Sequence, residues 1–198
     1  MATPFADTHE LIQFARRFLS ERTDSLRRDA QVCTSDATAA FPAILYAFAT
    51  IDLLGAILGG NAKGPKGMTE RAKSYMRRFM HYSEDHCVLL MDLFRHKIVH
   101  LGQPRAVILF KNSRTSWGYW HDDVQHHLKI VPLAPPELLT VTSALHITVD
   151  QRFEISIRHF VEDIIDSVHA PSGYLHSLSS DADLQDKFAK FITEIYSV

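Results

Sequence analysis

Apolar residues recur along the first hundred positions at intervals of three and four. Leu11, Ile12, Phe14, Ala15, Phe18 and Leu19 predict an amphipathic helix from Asp7 or Thr8 to Arg28, with Arg16, Arg17, Arg22, Arg27 and Arg28 on its solvated side. A second helical region opens at Ser35 or Asp36, and Phe41 to Leu58 is almost continuously apolar. That run is slightly short of the ~20 residues of a membrane span and holds Pro42 and Asp52, so it predicts the central core helix instead. Asp52, an acid in an apolar run, calls for a cationic or hydrogen-bonding partner. The glycine-rich stretch Gly59 to Gly67 is a loop, followed by a helix capped at Thr69. It is not a phosphate-binding P-loop, because the Lys-Ser/Thr after the second glycine is missing and a helix precedes it.

The stretch around which the chain is organised runs from Ser83 to Gln103. Ser83 can cap a helix, Glu84 and Asp85 suit the positive end of its dipole, and Gly102 and Pro104 close it. Cys87, Leu90, Met91, Phe94, Ile98 and Leu101 share one broad apolar face. The other face carries Asp92, Arg95, His96 and His100 interleaved with Val88, Leu89 and Val99. A helix apolar nearly all round needs cover on both sides, and the strip shared with Arg95 and His100 predicts a homodimer. Ionisable groups in so dry a setting are paired or functional.

After Pro104 the period shortens to two. Arg105 to Lys111, Trp117 to His121, His127 to Pro132 and Leu145 to Val149 read as short strands, with a turn at Asn112 to Ser116. Asp150 is then expected to cap a helix through about Val168, and Asp181 to Tyr196 to form the last one. The expected fold is α+β, mainly α: one domain over residues 1–198, with a helical bundle (1–103), a small inserted antiparallel β-sheet (104–149) and closing helices (150–198).

Composition narrows the function classes. A 198-residue chain that is 46% hydrophobic buries one sizeable core. A net charge of -2 argues against a protein that coats nucleic acid nonspecifically. Cys33 and Cys87 both lie in or beside helices, which suits a reducing compartment. The first ten residues lack the basic start and apolar run of a signal peptide, so the expected location is cytoplasmic, with no membrane partner. Charge is nevertheless concentrated locally. Lys63, Lys66, Arg71, Lys73, Arg77 and Arg78 face a single acid, Glu70, and alternate with Tyr75, Phe79 and Tyr82. That pattern suits single-stranded nucleic acid, with Lys63, Lys66, Arg71 and Arg78 as the candidate RNA-binding residues, and it equally suits core aromatics on one helix face with solvated cations on the other.

Two constellations could carry chemistry. The first is Arg95-His96-Lys97-Ile98-Val99-His100. Strand scission by a neighbouring 2'-hydroxyl needs a group titrating near neutrality and a cation on the phosphate, and His and Arg supply both without a metal. Positions five apart on an ideal helix sit about 140° apart, so Arg95 and His100 converge only where the helix ends or distorts. An arginine, a polar residue next to it and a histidine four to six positions on resembles the signature of the HEPN (higher eukaryotes and prokaryotes nucleotide-binding) family. That resemblance implies an all-helical domain, and either a metal-independent endoribonuclease of toxin or defence type or a noncatalytic nucleotide-binding or protein-interaction module. In the first case the motif is shared across a homodimer, Arg95 clamps phosphate, His100 is acid or base with His96 beside it, and Asp52 and Asp92 support them. No cofactor and no metal are implied. In the second, Arg95 pairs with Asp52 or Asp92 to fix the bundle. The second constellation, His121, Asp122, Asp123, His126 and His127, offers ligands for a metal-dependent hydrolase, though such polar residues also suit a solvated turn.

Overall fold

The computed structural model describes residues 4–35, 39–62, 66–96, 98 and 104–196. Asp36, Lys63, Val99, His100, Leu101 and Gly102 lie outside the described residues.

Helix α1 spans Thr8–Thr34, and the Asp7 carboxylate accepts the Glu10 N–H at 2.8 Å, satisfying one of the free donors of its first turn. It outruns the expected end at Arg28 because Leu26 and Ala30 continue its buried stripe. Helix α2, Ala40–Gly59, begins five residues later than Ser35, with Pro42 in its first turn where no N–H partner is lost. Gly60 ends it at φ 59°, the left-handed conformation that lets its N–H reach the Ala56 and Ile57 carbonyls. Helix α3, Met68–Phe79, takes Gly67 (φ 74°) as its N-cap; the expected cap, Thr69, lies inside the helix and is used elsewhere. Helix α4, Glu84–Leu89, starts at Ser83, whose hydroxyl accepts the His86 N–H at 3.2 Å. It runs straight into a π-helical segment, Leu90–Arg95.

The sheet is mixed rather than wholly antiparallel. Strands β1 (Ile108–Phe110), β2 (Ser113–Trp120), β3 (Lys129–Thr140) and β4 (His146–Ser156) lie in the order β1-β2-β4-β3. Lys111 and Asn112, at φ 47° and 64°, make the two-residue β1–β2 hairpin turn. β2 and β4 are parallel, with Gly118 opposite Glu154. β3 pairs antiparallel with β4 across an irregularity between Pro132 and Glu137, where three prolines interrupt the ladder. The expected helix start at Asp150 is also overturned. Asp150 sits in β4, its carboxylate accepts the Arg114 N–H at 2.7 Å, and the strand runs on to Ser156. Helix α5 then spans Ile157–His169, followed by α6 (Tyr174–Leu178) and α7 (Ala182–Tyr196).

α2 is the core helix, packed by α1, α3, α5 and α7. It is long and apolar enough to cross a membrane by composition, yet half of its most apolar stretch is buried in this bundle. Phe48 meets Phe160 of α5 at 5.3 Å between centroids. Gly55 permits the close approach to α3, since a Cβ there would stand 2.7 Å from the Ala72 backbone nitrogen. The inner face of the sheet, Trp117 and Tyr119, closes over Phe41 at 5.7 and 5.9 Å. Leu89 is fully buried and Val88 packs on the core, so these two members of the strip expected to be open to a second copy are covered by the chain itself.

Candidate functional site

Three helical elements meet at Arg95. α2 brings Asp52 from the middle of its apolar run, α3 brings Thr69 from its first turn, and the π segment brings Arg95 at its end. Arg95 Nε donates to Asp52 Oδ1 at 2.9 Å and Oδ2 at 3.1 Å, and Nη2 donates to Oδ2 at 2.9 Å. This is the two-pronged guanidinium–carboxylate geometry, which fixes orientation as well as charge. The side chains are 11% and 18% exposed, so neither charge could stand here alone. The remaining nitrogen, Nη1, donates to the Thr69 hydroxyl at a long 3.4 Å and lies 3.5 Å from His96 Nδ1. Asp92 is half-buried on the same π segment, but Arg95 takes Asp52 as its partner.

The π segment matters for this geometry. A wide turn of this kind shifts the register of the residues that follow and is often found at functional sites. The Leu93 carbonyl accepts the Arg105 N–H at 2.7 Å, which ties the start of the inserted sheet to the turn that carries Arg95.

The basic residues in and before α3 do not gather at Thr69. Arg71 lies on the other side of the helix, where it lines a cavity with Arg78 and Lys187, and its Nη1 donates to the Lys66 carbonyl at 2.8 Å. Arg77 and Arg78 are at the far end, paired with Glu84 at 2.7 Å and Asp181 at 3.3 Å. Arg78 lies nine residues on from Thr69, about 13 Å along the helix axis, so it does not join the Arg95 cluster.

The residues of the histidine–aspartate loop do not converge on one point: His121 Nδ1 is buried without a hydrogen-bond partner, His126 Nε2 lies 3.8 Å from Asp123 Oδ2, and the stronger contacts of the other members lead outward. Asp122 pairs with Arg158, and Asp123 caps the short 3-10 turn Val124–His126. His126 pairs with Glu154, and His127 Nε2 lies 3.0 Å from Asp163 Oδ2. Among the described residues no group of three or more His, Cys, Asp or Glu is arranged to hold a metal ion.

Sequence reading missed two polar clusters because their members are far apart in the chain. One is Tyr82, Asp163 and His127: the Tyr82 hydroxyl donates to Asp163 at 2.6 Å, and burial, reinforced by Asp163, holds that phenol well above its usual range. The Ser156 N–H donates to His127 Nδ1 at 3.3 Å, which places the ring proton on Nε2, facing Asp163. The other is Glu154, a carboxylate only 4% exposed on the outer side of the sheet, with Trp120 Nε1 donating to its Oε2 at 3.3 Å.

No family model, curated protein or solved structure matches the chain.

Proposed function

We propose that the chain is a HEPN-like, RNA-directed protein of the cytoplasm, acting as a metal-independent endoribonuclease of toxin or defence type. The observation that carries the reading is the unclamped end of the Arg95 guanidinium: Asp52 grips Nε and Nη2 along one edge and leaves the third nitrogen, Nη1, on a hydroxyl at a long 3.4 Å. A phosphate oxygen can replace that hydroxyl on Nη1, putting the positive charge where negative charge builds during cleavage. His100, by its place in the sequence motif, would take the proton of the attacking 2'-hydroxyl or return one to the departing 5'-oxygen, with His96 beside it. The bond from the 2'-oxygen to phosphorus forms as the 5'-oxygen bond breaks, leaving a cyclic phosphate. A homodimer would bring two such motifs together, and Lys66, just before α3, would meet the flanking backbone.

The test is cleavage of single-stranded RNA in EDTA. Wild-type protein should cut RNA to cyclic phosphate ends and spare DNA, which lacks the nucleophile. His100→Ala should lower the rate by about two orders of magnitude or more with an unchanged melting temperature. A second reading has its own support: Asp52 occupies two of the three guanidinium nitrogens, which suits a noncatalytic nucleotide-binding or interaction module held together by the motif. Wild-type protein that never cuts RNA, with Arg95→Ala unfolding, would decide for that module.

A further inference from the structure

The sheet turns one face to the bundle and the other outward, and the outer face holds a cavity of about 430 Å³ that the Arg95 motif does not use. Trp120 forms one wall: its ring stacks on His126 at 4.1 Å and 25°, and the residue is 41% exposed. Leu138 and Leu139 of β3 line it as well. Gly118 gives the floor no side chain, and a Cβ there would stand 2.9 Å from Arg152 Cδ.

Two charged groups converge on this cavity. Glu154 is anchored through Oε2, which pairs with His126 Nδ1 and accepts the Trp120 Nε1–H at 3.3 Å. Its Oε1 lies 3.7 Å from Arg152 Nη1, beyond hydrogen-bonding distance, while Arg152 is held from the other side by Nη2 donating to both oxygens of Glu137 at 2.9 and 2.7 Å. The cavity therefore presents an acceptor and a donor side by side, each fixed from behind, next to an indole face.

We propose that this groove binds a guanine base of single-stranded RNA, stacked on Trp120 and read by Glu154 and Arg152. The chemistry selects the base. Guanine alone presents a ring N–H and an amino group together, two donors for the lone pairs of Oε1, with O6 beside them as acceptor for Arg152 Nη1. Uracil can bring its N3–H to Oε1 with O4 on Arg152, but it sets the O2 carbonyl against the carboxylate where guanine has its amino group, and adenine and cytosine each offer the amino group as their single donor. Stacking on an exposed aromatic is the usual sequence-tolerant contribution to single-strand binding, and the buried carboxylate adds the discrimination. The inference rests on the RNA-directed reading above and supplies its base preference.

The experiment is calorimetric titration of the full chain with GMP, AMP, CMP and UMP, repeated on Trp120→Ala and Glu154→Gln. GMP should bind about tenfold or more tighter than the other three. Trp120→Ala, a truncation at the surface, should weaken GMP by about tenfold. Glu154→Gln, if it folds, should erase the preference for GMP. Equal binding of all four nucleotides, no binding, or GMP affinity unchanged in Trp120→Ala would overturn the proposal. Cleavage is scored separately: GMP selectivity without RNA cleavage leaves this site standing and removes the nuclease, and cleavage without GMP selectivity does the reverse.

Discussion

Asp52→Ala is the sharpest perturbation of the helical bundle. It deletes three guanidinium contacts, at 2.9, 3.1 and 2.9 Å, and leaves Arg95, 11% exposed, with the Thr69 hydroxyl and the neighbouring His96 ring. Removing one partner of a buried pair costs roughly 3–5 kcal/mol, because the survivor's charge stays desolvated. Asp52 is 18% exposed, so some water reaches the site, which favours the lower end, about 3 kcal/mol. For a chain of this size 1 kcal/mol moves the melting temperature by about 2–4 °C, so a drop of about 6–12 °C is expected. Arg95→Ala should lose a similar amount. The double variant removes both charges and should be no worse than either single one, giving a coupling energy of about 3 kcal/mol or more in a double-mutant cycle. Urea unfolding followed by circular dichroism measures all four proteins on one scale, provided the m-values agree. Additive losses within about 0.5 kcal/mol, or a single-variant loss under about 1 kcal/mol, would refute the reasoning.

Other expectations come from the remaining packing and ionisation. Gly55→Ala drives a Cβ to 2.7 Å from backbone of α3 that cannot rotate away, and should cost about 1–3 kcal/mol in thermal unfolding; an unchanged melting temperature would mean α2 and α3 slide apart freely. Cys87 is fully buried and its thiol is pushed up to about 11 by that burial, so at pH 8 a disulfide reagent should titrate Cys33 first and reach Cys87 only in denaturant. His86 and His169 are both held below the ordinary histidine value by burial, so the unfolded chain binds more protons and stability rises with pH. Their contribution is complete above about pH 6.5 and is lost as pH falls below it, so the urea midpoint should drop between pH 7.5 and 5.5. The drop should shrink in His86→Gln, and equal slopes in variant and wild type would count against the assignment.

Some of this was legible in residue order. Asp7 and Ser83 cap their helices as small polar residues before apolar periodicity should. The Asp52–Arg95 pair could be anticipated because each charge stands in an apolar helix and neutrality demands a partner. β4 was misread as helix after Asp150 because Phe153, Ile157 and Phe160 fit a helical period, while Phe153 and Ile155 fit a strand equally well. Only the pairing with β2, a long-range fact, decides between them. Thr69 looked like a cap because nothing local says that Gly67, free to adopt positive φ, will do that work and release the hydroxyl to Arg95. The Glu154–Trp120–Arg152 groove depends on a parallel register between strands more than thirty residues apart in sequence, to which no local pattern points.

The inserted sheet and the motif are mechanically joined, and that connection can be measured. Phe94, next to Arg95, packs against Trp117 of β2 and Phe153 of β4 at 6.1 and 6.4 Å, on the side of the sheet opposite the guanine groove. The same turn gives its Leu93 carbonyl to the Arg105 N–H. Trp117→Ala removes the indole from this stack without touching Arg95, Asp52 or Glu154. The void should loosen the Leu90–Arg95 segment, whose π hydrogen bonding has little intrinsic stability of its own. Hydrogen exchange should then quicken at the amides of that segment while those of α1, which packs chiefly on α2 and α5, keep their protection. If the two regions lose protection equally, the variant has only lowered global stability and the sheet is no specific brace for the motif. If the π segment alone loosens, the sheet holds the motif arginine in position, and an RNA strand stacked on one face of the sheet would press on the turn behind the other.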